Sequence, residues 1–82
     1  MNPKIYVACL SSYNSGKLHG KWIDAAQDAD DIQSEIDEML EASPVADAEE
    51  FAIHDFEDFG GMSIGEYESI ENVSKLAIAI EE

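Results

Sequence analysis

Cys9, His19 and Asp55 carry the side chains of a nucleophile, a base and an orienting acid. A thiol, an imidazole and a carboxylate within hydrogen-bond reach would support acyl transfer. That chemistry requires all three to face one cleft, and the local sequence argues against it. Cys9 lies in "KIYVACL", Lys4 to Leu10, whose apolar centre reads as a central strand in which a cysteine packs rather than reacts. No nucleophile elbow surrounds it, and no second cysteine completes a zinc site. His54 and Asp55 are neighbours in a predicted strand and so point to opposite faces. Asp28-Ala29-Asp30-Asp31 opens like a calcium loop, but no glycine follows before Gly60, and Ile32 and Ile36 fit helix packing instead. "NSGK", from Asn14, lacks the glycine spacing of a phosphate loop and reads as a turn. The sequence points to no enzyme, no cofactor and no metal.

What remains is charge. The stretch "DADDIQSEIDEMLEASPVADAEE", Asp28 to Glu50, holds ten acidic residues and no basic one. The whole chain carries 19 acids against 4 lysines, a net charge of −15. Solubility alone asks for roughly 2 to 8 charges in a small domain, and the excess destabilises the fold through self-repulsion. A solvated face with no further role is the plain alternative, as is a general acidification of the surface. The distribution favours a specific face. Residues 1–27 hold three lysines against one acid, a net of +2, and residues 28–82 hold 18 acids against one lysine, a net of −17. Such a face repels nucleic acid and anionic membranes and attracts basic protein surfaces. The DNA-binding groove of a DNA-handling enzyme is one such surface.

The elements that must position these acids follow from periodicity. With 82 residues, 45% of them apolar, the chain suits one small folded domain. Lys4 to Leu10 reads as a strand, "SSYNSGK" as a turn, and Leu18 to Asp24 as a second strand in a hairpin with the first. Asp28 to Ala42 reads as a helix with Ile32, Ile36, Met39 and Leu40 as its apolar stripe. Asp28 or Asp30 caps its start, and Ser43-Pro44 ends it. Asp31, Glu35 and Glu38 fall on one flank of the stripe, and Asp30, Asp37 and Glu41 towards the opposite face. No lysine stands four residues on to neutralise them. "EEFAIHDF" is a third strand, with Phe51, Ile53 and Asp55 on one side and Ala52, His54 and Phe56 on the other. "EDFGGMSIG" is a loop. Glu66 to Glu82 is a helix that buries Tyr67, Ile70, Val73, Leu76 or Ala77, and Ile80. Ser63 with Glu66, or Ser69 alone, caps it. Tyr6, Trp22, Phe51 and Phe56 are expected in the core or half-buried; Tyr13, Phe59 and Tyr67 are expected at the surface.

The expected fold is α+β: a small three-stranded antiparallel or mixed sheet (β-β-α-β) with an acidic helix, followed by a loop and a C-terminal helix. Residues 1–61 form the expected α+β domain. Residues 62–82 form a helical extension that starts a second domain or packs on the first. The lone Cys9 and the lack of an apolar span fit a cytoplasmic protein without a membrane segment.

"IYVACLSSYNSGKLHGKWIDA", Ile5 to Ala25, resembles the amino-terminal signature of the ArdA antirestriction proteins. "EEFAIHDFEDFGG", Glu49 to Gly61, and "YESIENVSKLA", Tyr67 to Ala77, are similar to later segments of that family. The resemblance implies a cytoplasmic, non-catalytic protein without a cofactor, of a kind carried by mobile genetic elements. It implies a mimic of B-form DNA that occupies the DNA-binding groove of a type I restriction–modification enzyme and binds no nucleic acid itself. Family members extend beyond this chain into portions that carry a dimer contact. The resemblance therefore also implies a homodimer or a missing carboxy-terminal domain as partner. The expected mimic surface comprises Asp30, Asp31, Glu35, Asp37, Glu38 and Glu41, extended by Asp47, Glu49, Glu50, Asp55, Glu57 and Asp58. The alternatives are a non-inhibitory structural or assembly module, and a mimic aimed at another DNA-binding protein.

Overall fold

A computed structural model describes residues 2–43 and 50–81. The elements in chain order are β1 (Lys4–Cys9), α1 (Leu10–Asn14), β2 (Gly20–Asp24), α2 (Ala29–Glu41), β3 (Phe51–Glu57) and α3 (Ile70–Glu81). They form the expected α+β fold around a three-stranded antiparallel sheet of order β2-β1-β3. The near-continuous apolar run of β1 explains its central place. Its odd positions, Ile5, Val7 and Cys9, are fully buried on one face of the sheet. α2 contributes Ile32, Ile36 and Met39 to the same core, and α3, packed against α2, adds Val73 and Ala77. Both helices therefore lie over one face of the sheet.

Several expectations are corrected. The turn predicted after β1 contains the one-turn helix α1, because Ser12 is drawn inward. Its hydroxyl lies 2.8 Å from that of Ser43, and its carbonyl accepts the Lys17 N–H at 2.8 Å. Gly16, at φ +79°, turns the chain out of that helix. The last helix starts at Ile70, later than expected. Ser69 caps it, its hydroxyl accepting the Asn72 N–H at 3.1 Å. Tyr67 therefore precedes the helix and is exposed, while Val73 and Ala77 form its buried stripe.

β3 does not alternate as a regular strand. Tyr6 pairs with Asp55, but the next residue of β1, Val7, pairs with Ile53. His54 is the extra residue of a β-bulge. The bulge reverses the phase of every side chain after it. Phe56 consequently shares the core face with Phe51 and Ile53, and Asp55 turns to the opposite face, the reverse of the regular-strand expectation. Beyond β3, Asp58 at φ 62° and Gly60 and Gly61, also at positive φ, bend the chain back. Phe59 is thereby buried edge-on against Phe56, with ring centroids 6.1 Å apart, where a surface position was expected. Ile64 follows it into the core. The Ile53 N–H on the outer edge of β3 donates to the Glu66 carbonyl at 3.0 Å, so this loop occupies that edge of the sheet at Ile53.

Gly20 is required for space. A β-carbon there would lie 2.6 Å from the Val7 carbonyl oxygen and 2.7 Å from the Tyr6 hydroxyl, which crosses over the glycine. Gly65 has open space around it and no positive φ. We predict that Gly20→Ala lowers the free energy of unfolding by roughly 1–3 kcal/mol, the usual overpacking penalty. Gly65→Ala is neutral or slightly stabilising. Urea denaturation of the two variants checks this, and equal stabilities would show that the contact at Gly20 is not constraining.

Candidate functional site

The acidic residues divide between two sides of the sheet. On α2, Asp30, Asp31, Asp37, Glu38 and Glu41 are exposed and Glu35 is half-buried. Ile32, Ile36 and Met39 hold the opposite stripe in the core, which forces these acids outward. Asp30 and Asp31 occupy the first turn, at the positive end of the helix dipole. Asp28 stands at the N-cap position and its carbonyl accepts the Asp31 and Ile32 N–H groups. Its side chain makes no capping bond, contrary to expectation, and neither does that of Asp30. Asp55 and Glu57 lie on the sheet face that the helices leave uncovered, with Asp58 exposed just beyond. Glu50 is exposed at the start of β3. Asp47 and Glu49 lie outside the described residues. The structure thus gathers the helical acids on one side and separates Asp55 and Glu57 from them. Asp24, which was not singled out in the sequence, joins the latter group. Its alternation with Trp22 is a signal only once the hairpin register is known.

Few of these charges are compensated. Of the 19 acidic residues, 16 are described, all but Asp47, Glu49 and Glu82. Three of the 16 lie within ion-pair distance of a basic group: Glu57 with Lys4 at 3.6 Å, Glu35 with Lys21 at 3.1 Å, and Glu66 with His54 at 3.7 Å. The remaining 13 have no such partner among the described residues.

Glu35 differs from its neighbours. Gln27 Nε2 donates to Glu35 Oε2 at 2.6 Å, and Lys21 Nζ lies at its other oxygen. The Gln27 hydrogen bond and then Lys21 outweigh the partial burial of this carboxyl and hold it below the ordinary glutamate value. Glu35 ties α2 to β2 and to the turn between them, and its charge is the most neutralised on the helix.

The Cys9–His19–Asp55 triad is not assembled. Cys9 Sγ is buried 3.4 Å from Ser43 Oγ. Burial raises the Cys9 pKa, but hydrogen bonds from the Ser43 and Ser12 hydroxyls and the Ser12 and Ser11 backbone together bring it below the ordinary thiol value. His19 Nε2 donates to the Met39 carbonyl at 2.7 Å. Asp55 accepts the N–H of Phe56 at 2.8 Å, on the opposite face of the sheet from Cys9. Among the described residues no group of three or more His, Cys, Asp or Glu side chains is placed to hold a metal ion, and no helix is long and apolar enough to cross a membrane.

The depressed pKa of Glu35 has a sign that can be tested. Its stabilising contribution is fully present above the unfolded value of about 4.3 and is lost as pH falls through the lower folded value. Glu35→Gln should be less stable than the parent at neutral pH, and the gap should close as pH drops below that range. Denaturant unfolding at several pH values measures the gap. A gap independent of pH would remove Glu35 from this role.

The family model described as antirestriction protein (ArdA) matches residues 5–82. No curated protein matches the chain. The family is non-catalytic and is associated with restriction–modification systems. The match runs from within β1 through the end of α3, and the chain therefore belongs to the ArdA antirestriction family.

Proposed function

We propose that this chain acts as a DNA mimic, occupying the DNA-binding groove of a type I restriction–modification enzyme and so preventing restriction. The carrying observation is the uncompensated acidic surface: 13 described carboxylates without a basic partner, on a chain of net charge −15. Carboxylates stand in for phosphates and meet the Lys and Arg residues of the groove. Dimensions support the reading. The long axis is 39 Å, slightly more than one turn of B-DNA at about 34 Å. A duplex of that length carries roughly 23 phosphate charges at one per about 1.7 Å, so the chain supplies about two-thirds of the charge it replaces. The summed potential steers the encounter, and individual acids contribute little each.

On this reading the exposed acids Asp30, Asp31, Asp37, Glu38 and Glu41 do most of the work on α2. Glu35, held by Gln27 and Lys21, chiefly fixes the helix. Glu50, Asp55, Glu57 and Asp58 extend the field, and Asp47 and Glu49 are proposed to belong to it.

Competition decides the matter. Added to a type I methyltransferase core carrying labelled duplex DNA, the chain should displace the DNA, and its direct binding to the DNA-free core should weaken as salt rises. The reversal Asp30→Lys/Asp37→Lys/Glu41→Lys should weaken displacement by at least about tenfold, since it shifts the net charge by six and the small contributions to the summed potential accumulate. Asp37→Asn alone should change little. Absence of displacement by the folded chain would sink the groove reading. Salt-independent direct binding would point to apolar docking instead.

A further inference from the structure

α2 and α3 cover one face of the sheet, and the strand register defines what the other face presents. Trp22, Tyr6 and Asp55 form one row across the three strands; Asp24, Lys4 and Glu57 form the next. Tyr6 is half-buried, its hydroxyl laid over Gly20, which leaves its ring little freedom. Trp22 leans on it with ring centroids 5.4 Å apart and planes at 59°, and is 41% exposed. Beside Trp22 is a recess of about 200 Å³, bordered by Asn2, Pro3, Lys4 and Asp24.

The charge around these rings is specific. Asp24, Asp55 and Glu57 outnumber Lys4, and Glu57 engages the Lys4 ammonium at 3.6 Å. Asp24 Oδ1 accepts the Ala26 N–H at 2.9 Å, and Oδ2 is left for another donor. An aromatic face with a carboxylate at its edge complements a planar cation. A guanidinium stacks on such a face, sheds water readily and donates a fork of N–H groups to a carboxylate. An ammonium is more strongly hydrated and has no fork.

We propose that Trp22 and Asp24, backed by Tyr6, form an arginine-docking site. A guanidinium of the partner's basic surface stacks on Trp22 and donates to Asp24 Oδ2. The proposal rests on the DNA-mimic reading only for the source of that arginine. It adds to a diffuse Coulombic surface one anchored contact that salt screens weakly.

Two measurements test it separately. Trp22 is the only tryptophan, so its emission reports the site directly. An alternating Arg-Gly peptide should perturb that emission at a concentration at least about threefold lower than its Lys-Gly counterpart. Asp24→Asn, which retains the oxygen that holds the Ala26 N–H, should reduce the preference. Equal responses to the two peptides, or none, would overturn the site.

In the methyltransferase competition, Trp22→Leu should weaken binding by about three- to tenfold with an unchanged salt slope. Trp22→Phe should fall between Leu and the parent. Circular dichroism confirms the fold of each variant. Failure of the parent chain to displace DNA removes the mimic reading, while the peptide comparison still decides the arginine site. Displacement equally strong with Trp22→Leu leaves the mimic reading standing and overturns the docking role.

Discussion

The structure depends on the contact between the core face of β1 and the apolar stripe of α2. Ile5, Val7 and Cys9 meet Ile32, Ile36 and Met39 in one continuous core. This contact must hold together a chain whose charges repel one another. Its members are apolar and buried, and its one thiol, that of Cys9, has a hydrogen-bond partner in Ser43. The same geometry produces the acidic surface. Because α2 commits one stripe to the core, most of its other positions face water, and most of those are Asp or Glu.

Much of this architecture was legible in the residues. The unbroken apolar centre of "KIYVACL" marked a central strand, and three- and four-residue spacing from Ile32 to Leu40 marked the acidic helix. Ser69 was legible as a cap. The faces of β3 were not, because a one-residue bulge at His54 depends on pairing with β1 and leaves no trace in local periodicity. Phe59 and Trp22 were misplaced for a related reason. Phe59 follows a residue at positive φ that folds its loop back over Phe56. Trp22 lies on the strand face that no helix covers, which only the packing of α2 and α3 determines. The acidic residues themselves were plain, but the division between helix and open sheet face, and the neutralisation of Glu35 by Gln27 and Lys21, were tertiary facts.

The family match and the surface answer different questions. Residues 5–82 place the chain among the antirestriction proteins. The surface presents a broad acidic field from residues with no basic partner among the described residues, with an aromatic pair on the opposite side of the sheet.

The hydrogen bond at the edge of β3 bears on self-association. With Ile53 bonded to Glu66, strand addition at that position of the bulged edge is blocked, and β2 offers the other edge. A second copy approaching β2 brings another −15 with it. At physiological ionic strength the screening length is about 8 Å, longer than the 4.7–4.9 Å at which strands pair. Like-charge repulsion opposes that approach wherever acidic residues of the two copies come within the screening length.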